Sequence, residues 1–427
     1  MGIDRSIGIT SGIGSRNERE QILDAFASGN YLFCYVAPER FQTQPFRERL
    51  RTLTVASPVS LIAVDEAHCV SEWGHDFRTS YLNLGRVARE YCSFGGTAPP
   101  LVALMGTASK IVLKDVQREL GITDIEAIIT PSSFDRPELH FSILKCRSSL
   151  KSSLVLGFLN RMPFDFGMSR GSFFQPAEDH TASGLVFCPF VNSEYGVVDI
   201  AKGLSKALGI PVTFYSGGAP RGFEAGQWNE VRQANAARFR RNQDPLMVCT
   251  KAYGMGIDKP NVRYTVHLDL PESIESFYQE AGRAGRDKQR AECAIVVSND
   301  HPSRSERLLN PNTSLEEIAR GTKNIPWQER DDVVRALWFH VQAFKGEAIE
   351  LDDIQRTMNA WNRSISGELC TWRSSAMATS PRIRKRPCTG LSSLVLSRTT
   401  LCNILQRTIS SLRSLMSGSR VPPKARW

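Results

Sequence analysis

The chain has 427 residues, of which 41% are hydrophobic and 23% are charged, and its net charge is +9. This length leaves room for two or three globular domains, and no apolar run approaches the roughly 20 residues of a membrane span. The N-terminus lacks a charged-then-apolar signal layout and the ten cysteines include no Cys-x-x-Cys, which argues against secretion, a disulfide scaffold and a zinc knuckle.

The first part of the chain alternates short apolar runs with amphipathic stretches. The apolar runs predict strands at residues 31–36, 61–64 and 101–105. The stretches between them predict helices, as at residues 18–27 and 110–120. This alternation indicates an α/β fold in which a parallel sheet carries helices on both faces.

A second alternating set follows a segment without periodicity. Residues 160–182 are rich in Phe, Gly, Ser and Pro, which predicts a long loop. Further apolar runs predict strands at residues 184–188, 212–215, 246–249, 263–268 and 293–297. Residues 328–345 carry an apolar stripe at helical spacing. We therefore expect a second α/β domain followed by a helical segment.

Two adjacent acids, Asp65 and Glu66, come directly after the predicted strand at residues 61–64. Side chains at the carboxyl end of a parallel strand project into the ligand crevice. Such a pair suits metal-assisted phosphoryl chemistry, in which Asp65 holds Mg²⁺ and Glu66 orients and deprotonates the attacking water. A solvated acidic turn is the alternative, and the string Asp-Glu-Ala-His alone does not separate the two.

An aromatic-rich stretch continues from these acids. Trp73, Phe77 and Arg78 could stack on unpaired bases and touch the nucleic-acid backbone, although burial in a core is the commoner fate of Trp and Phe. The whole string, Asp-Glu-Ala-His-Cys-Val-Ser-Glu-Trp-Gly-His-Asp-Phe-Arg, resembles the DEAH box and aromatic-rich loop of RecQ-family DNA helicases. The resemblance implies a catalytic role for His68 beside the two acids. It also implies that the loop, including His75, couples single-strand binding to ATP hydrolysis.

Three shorter stretches are similar to other motifs of that family. Residues 35–40, Tyr-Val-Ala-Pro-Glu-Arg, are similar to the strand-contacting motif Ib, which implies that Pro38 and Arg40 bind DNA. Residues 103–109 are similar to motif III. Residues 133–137, Ser-Phe-Asp-Arg-Pro, look like the segment that opens the linker to the second motor domain.

Two motifs near the second set of strands complete the resemblance. Residues 250–258 resemble motif V, whose glycines permit a tight loop that Asp258 caps, and residues 279–287 resemble motif VI. On a helix, Gln279, Arg283 and Arg286 would share one face and could reach a γ-phosphate together; a surface helix with exposed arginines is the alternative. The resemblance implies that Gly256, Asp258, Arg283 and Arg286 contact ATP and that Thr250 contacts DNA.

The phosphate-binding loop of such motors is missing from this sequence. No Gly-Lys dipeptide occurs, so no Gly-x-x-x-x-Gly-Lys-[Ser/Thr] loop can cradle the phosphates. We therefore expect the chain to begin within the family's first motor domain and to be inactive in isolation. Cys293 lies in a predicted strand, while Cys370, Cys388 and Cys402 lack ligand spacing, so no zinc is expected.

The resemblance, over about residues 9–300, implies two RecA-like domains, the first of them incomplete. We assign residues 1–145 to the first domain, 146–300 to the second, 301–362 to a helical appendage and 363–427 to a basic tail. The implied function is an ATP-dependent 3′→5′ DNA helicase of repair or recombination that uses ATP and Mg²⁺ and acts on single-stranded or junction DNA. Its expected place is intracellular, in a nucleus or in a bacterial cytoplasm or nucleoid. Two alternatives stay open, a non-catalytic DNA-binding remnant and the product of a broken gene.

The tail accounts for the basic charge of the chain. Residues 361–427 carry 12 Lys and Arg and one acid, Glu368, while the preceding residues carry 41 basic and 43 acidic side chains. A disordered basic tail is the ordinary explanation. Residues 385–403, however, can be back-translated and read in a shifted frame as Glu-Lys-Ala-Leu-His-Arg-Leu-Val-Val-Leu-Gly-Val-Val-Ser-Asp-Tyr-Thr-Val-Gln, a helix-then-strand pattern. This favours out-of-frame text, which the genomic DNA would test.

Overall fold

The computed structural model describes residues 5–9, 16–71, 78–106, 110–124, 126–130, 133, 135–176, 181–193, 195–254, 258–343 and 356. Contacts divide the chain into an N-terminal unit, residues 1–132, and a C-terminal unit, residues 133–427. The predicted basic tail at 363–427 lies outside the described residues. Among the described residues, no helix combines the length and apolar character needed to cross a membrane.

The described part of the N-terminal unit contains two pairs of parallel strands and four α-helices. The strands are β1 (Ser6–Ile9), β2 (Phe33–Val36), β3 (Ile62–Val64) and β4 (Leu101–Ala103). Strand β1 pairs with β2, and β3 pairs with β4. The helices are α1 (Arg16–Ala27), α2 (Gln44–Ala56), α3 (Leu84–Cys92) and α4 (Lys110–Leu120). The predicted strands and helices of this region therefore form, with β1 in addition.

Packing in this unit differs between the two faces of its strands. Val64 on β3 packs with Val116 and Leu120 of α4 in a buried cluster. On β2, Phe33 and Tyr35 lie on the face opposite to Cys34 and Val36, and they are 51% and 70% exposed. Because side chains alternate across a strand, the helices described here cover one face of β2, whereas the sequence predicts helices on both.

The C-terminal unit is built on one six-stranded, wholly parallel sheet. Its strands are β5 (Leu139–Cys146), β6 (Ser183–Phe187), β7 (Val212–Tyr215), β8 (Leu246–Cys249), β9 (Val262–His267) and β10 (Ala291–Ser298). Their order in the sheet is β5-β10-β9-β6-β8-β7. Five of the six were predicted to within two residues at each end. Strand β5, which falls in the first domain of the sequence-based assignment, pairs with β10 along its full length.

Eight α-helices accompany this sheet in the described residues. They are α5 (Lys151–Asp165), α6 (Arg170–Phe174), α7 (Val197–Leu208), α8 (Ala225–Arg240), α9 (Ile274–Ala281), α10 (Pro302–Leu308), α11 (Leu315–Lys323) and α12 (Asp332–Ala343). The prediction of a long loop at 160–182 is wrong, since α5 extends into this segment and α6 lies within it. Met162, Phe173 and Phe174 are buried in the core. Phe173 and Phe174, which look aperiodic in the sequence, are core residues of the short helix α6, whereas Phe164 near the end of α5 is exposed.

The helical segment after β10 is fastened to the sheet by buried charges. Asp332, at the start of α12, accepts a hydrogen bond from the Lys151 ammonium at 2.6 Å and from the Ser298 amide at 2.7 Å. Lys151 and Asp332 are 1% and 0% exposed, and Arg335 also pairs with Asp332. These contacts tie the start of α12 to α5 and to strand β10 of the six-stranded sheet.

Candidate functional site

The paired acids lie in a turn with an unusual backbone at the carboxyl end of β3. Glu66 adopts the left-handed conformation, with φ 48° and ψ 45°, and begins the short 3-10 helix Ala67–Val70. The turn is tied to the next strand, because the Ala67 amide donates to Leu104 O at 2.9 Å and the Leu104 amide donates to Val64 O at 2.8 Å. A non-glycine residue in this region costs about 1–3 kcal/mol, and such strain is concentrated at functional sites.

Both carboxylates of this acidic turn are accessible from solvent, and a buried histidine lies behind one of them. Asp65 is exposed and accepts a hydrogen bond from the Glu66 amide at 2.9 Å. His68 is 3% exposed, and its Nδ1 lies 3.3 Å from Glu66 Oε2. The two acids fit Mg²⁺, which is usually held by one or two carboxylates together with water and substrate phosphates.

A buried tyrosine closes the other side of the acidic turn. The Tyr81 hydroxyl donates to the Asp65 carbonyl at 3.3 Å. Burial, with smaller contributions from Cys69 and the two acids, raises the pKa of Tyr81 to about 12. Tyr81 is therefore a neutral hydrogen-bond donor at physiological pH and fixes the backbone of Asp65.

The predicted DNA-contacting residues of the N-terminal unit are only partly described. Pro38 and Arg40 lie on the 3-10 helix Pro38–Gln42, directly after β2. The Ser80 hydroxyl donates to Glu39 of this helix at 3.0 Å, and the Arg78 amide donates to Cys69 O at 3.0 Å. These bonds bring the motif Ib helix and the end of the aromatic-rich stretch onto one surface. Trp73, His75 and Phe77 lie outside the described residues.

In the C-terminal unit, the structure brings motifs V and VI together. The Arg286 guanidinium forms an ion pair with Asp258 at 2.9 Å. Thr250 is buried, and its amide donates to Tyr215 O at 3.1 Å. The expected ATP contact Gly256 lies outside the described residues.

The predicted helix through motif VI is shorter than the sequence indicates. Helix α9 ends at Ala281, so Gln279 lies on the helix whereas Arg283 and Arg286 follow in a turn. Arg283 is 7% exposed and Arg286 is exposed, so the prediction of one shared helical face is wrong. The backbone leaves the α-helix before the arginines, because the amides of Arg283 and Ala284 donate to Glu280 O and Ala281 O, three residues back. Gly285 then has φ +62°, which cannot continue a right-handed helix to Arg286.

Beside this turn, the C-terminal unit carries a shallow, open cleft. Its lining consists of three cations, one acid and one glycine: Arg136, Arg286, Lys288, Asp258 and Gly282. Excess positive charge with guanidinium donors suits an anion, above all a phosphate. Sequence reasoning included Arg286 and Asp258 but missed Arg136 and Lys288. The sequence signal for Arg136 is the string Ser-Phe-Asp-Arg-Pro, which contains it.

Helix α9 itself is anchored to the sheet by a histidine. His267 Nε2, at the end of β9, lies 2.9 Å from Glu280 Oε2. The His267 ring stacks on Phe187, with centroids 4.6 Å apart, and is 3% exposed. This pair fixes the last turn of α9 and therefore the point at which the arginine-bearing turn begins.

No metal cluster is evident in the part of the chain that the structure describes, where no group of three or more His, Cys, Asp or Glu side chains could hold an ion. The expectation that zinc is absent stays a prediction.

Comparison with known proteins shows similarity to helicases. Residues 173–288 match the family described as helicase conserved C-terminal domain. The chain is 31% identical over 306 residues to a probable ATP-dependent DNA helicase RecS of Bacillus subtilis, a match covering 71% of this chain and 53% of that protein. It is 34% identical over 280 residues to the ATP-dependent DNA helicase RecQ of Pasteurella multocida, covering 65% and 37%. The chain is similar to helicases of the RecQ family over about two thirds of its length.

The chain matches only part of the length of these relatives. The chain spans about half of the length of RecS and less of that of RecQ. Among solved structures, the DEAD-box helicase Mss116 bound to single-stranded RNA and UDP-BeF matches with a TM-score of 0.52 at 12% identity, covering 80% of this chain and 66% of that one. That likeness supports the fold, which is α/β of the RecA-like helicase type.

Proposed function

We propose that this chain carries the machinery of an ATP-dependent 3′→5′ DNA helicase of RecQ type, divided between its two units. The observation that carries the proposal is the cationic cleft of Arg136, Arg286 and Lys288 beside Asp258, in a chain that also keeps the acidic turn. Positioned guanidinium groups stabilise the charge of a phosphoryl group in transfer. The domain limits at 300 and 362 are part of this proposal, with the first limit at 132 in place of 145, because Leu139–Cys146 pairs with β10 in the six-stranded sheet.

The acidic turn supplies the other chemical requirement. Asp65 would hold Mg²⁺, which neutralises phosphate charge when bound. Glu66 would orient the attacking water and accept its proton, and His68, 3.3 Å away, would hold the Glu66 carboxylate in place. The strained backbone at Glu66 supports this role, since the fold maintains a costly conformation at that residue.

DNA is the proposed partner, as the names of the relatives suggest. Pro38, Arg40 and Arg78 would meet the strand in the N-terminal unit, together with the loop of Trp73, His75 and Phe77. Thr250 would contact it in the C-terminal unit. Single-strand binding of this kind combines backbone contacts with aromatic stacking.

A second candidate is a DNA-binding chain that does not hydrolyse ATP. It is favoured by one specific observation, the lack of any Gly-Lys dipeptide in the sequence. Without the amides and lysine of a phosphate-binding loop, β- and γ-phosphates lose most of their contacts.

Measurements on an extended chain separate the two candidates. The chain would be joined to an N-terminal segment that carries a Gly-x-x-x-x-Gly-Lys-[Ser/Thr] loop, and ATP hydrolysis would be measured with and without single-stranded DNA. We expect DNA-stimulated hydrolysis that Glu66→Gln abolishes while nucleotide binding remains. Glu90→Gln, which removes an exposed carboxylate paired with Arg86, is the matched control. Hydrolysis that survives Glu66→Gln would contradict the assigned role.

A further inference from the structure

One guanidinium group donates hydrogen bonds to several backbone carbonyls of the turn that carries the motif VI arginines. Residues 282–288 are called the arginine turn. Nη1 of Arg136 donates to Gly282 O at 2.6 Å, and Nη2 donates to Ala284 O at 2.9 Å and to Gly285 O at 3.1 Å. Arg136 comes from a segment about 150 residues earlier in the chain. Three carbonyls of one turn thus converge on a single side chain.

A buried carboxylate holds this guanidinium from behind. Arg136 Nε donates to Glu138 Oε1 at 2.7 Å, and Glu138 is 8% exposed. Burial opposes the charge of Glu138, but the hydrogen bond from Arg136 and the charges of Arg136 and Lys288 lower its pKa below the usual value. The Glu138 carboxylate is therefore charged at neutral pH and restricts the rotation of the guanidinium plane.

The glycines of the arginine turn fit the same arrangement. A Cβ on Gly282 would lie 2.7 Å from Tyr278 O and 3.2 Å from Arg136 Nη1. A Cβ on Gly285 would lie 3.0 Å from the Glu138 side chain, on a backbone with φ +62°. A side chain at Gly282 would therefore collide with the end of α9 and crowd Arg136. A side chain at Gly285 would crowd Glu138, the carboxylate that supports Arg136. The absence of a Cβ at both positions leaves the space that Arg136 and Glu138 fill.

We propose that Arg136 is a positioning residue that fixes the arginine turn and thereby sets where Arg283 and Arg286 meet the phosphates. This inference rests on the proposed function. The planar guanidinium has five donors in a fixed fork and can serve three carbonyls and a carboxylate at once, whereas an ammonium group has three donors around one point. Lysine at this position keeps the charge but cannot hold all four acceptors.

Hydrogen exchange of the full chain tests the hold on the turn. In Arg136→Lys, the amides of residues 283–287 should exchange about tenfold faster, because each lost hydrogen bond contributes about 1 kcal/mol. Arg290→Lys is the matched control, since Arg290 also bonds a glutamate two residues ahead, Glu292, and one carbonyl, Asp165 O, away from the turn. Exchange in the turn that is unchanged by Arg136→Lys would overturn the inference. Glu138→Gln, which removes the charge that holds the guanidinium, should speed the same amides and serves if Arg136→Lys fails to fold.

A second measurement on the full chain tests the phosphate side. Phenylglyoxal reacts with accessible guanidinium groups, and millimolar inorganic tripolyphosphate should slow its reaction with Arg286 several-fold in the parent chain and in Arg290→Lys. In Arg136→Lys this protection should be lost although the local charge is kept. Protection that persists in Arg136→Lys would contradict a positioning role. No protection in the parent chain would instead reject the proposed phosphate site, and hydrogen exchange would then decide by itself whether Arg136 holds the turn.

Discussion

The buried ion pair between Lys151 and Asp332 allows a direct test of how the appendage is attached. Lys151→Met removes the ammonium but keeps an apolar stem of similar length. Asp332, which is 0% exposed, would lose a partner at 2.6 Å and keep the Ser298 amide and Arg335. Breaking a buried pair by removing one partner costs about 3–5 kcal/mol, and we expect about 3 kcal/mol because two partners remain.

The assay must report on the C-terminal unit alone, because a chain of two units need not unfold in one step. Native-state hydrogen exchange of the buried β10 amides gives the free energy of opening of that sheet. Lys202→Met, which removes an exposed ammonium from α7, is the control and should change this free energy by less than about 0.5 kcal/mol. A loss below about 1 kcal/mol for Lys151→Met would refute the reasoning, since it would mean that the pair does not fasten α12 to the sheet.

Four further predictions follow from the site and its surroundings. The chain without an added phosphate-binding loop should hydrolyse ATP poorly or not at all; turnover near that of an intact helicase in a DNA-stimulated ATPase assay would contradict this. Trp73→Ala should weaken single-strand binding by about 1–3 kcal/mol per stacked base, measured by fluorescence anisotropy, and unchanged affinity would indicate a core role. In the extended chain, Arg286→Ala should slow turnover with little effect on DNA affinity, which steady-state kinetics and a DNA titration would check. Burial, followed by the charge of Asp332, raises the pKa of Asp269 to about 7. The folded state therefore binds this proton more tightly than the unfolded state, and the free energy of unfolding should fall as pH rises from about 4 to about 7. Asp269→Asn should flatten that dependence in unfolding experiments across this range.

Several features of this protein could be predicted from the sequence because they depend on local pattern. Apolar runs bounded by turn residues predicted strands such as Leu246–Cys249, since a strand buried on both faces needs consecutive apolar side chains. The order of Asp65-Glu66-Ala67-His68 and the motif VI arginines predicted the similarity to RecQ helicases, which the comparisons confirm. The site residues and their roles remain predictions.

Other features were decided by tertiary structure, since they depend on contacts between distant residues or on backbone geometry. Helix α9 ends at Ala281 and the chain then turns, with a positive φ at Gly285; the spacing of Arg283 and Arg286 alone does not reveal that turn. The segment at 160–182 looks aperiodic, yet two parts of it are helical and pack on the core through Met162 on α5 and through Phe173 and Phe174 on α6. The Arg136 contacts with the arginine turn join residues far apart in sequence, and the sequence pattern does not predict which carbonyls Arg136 binds. Local hydrogen bonding and side-chain alternation depend on short stretches of sequence, whereas the pairing of buried polar groups is decided only when the helices and strands pack.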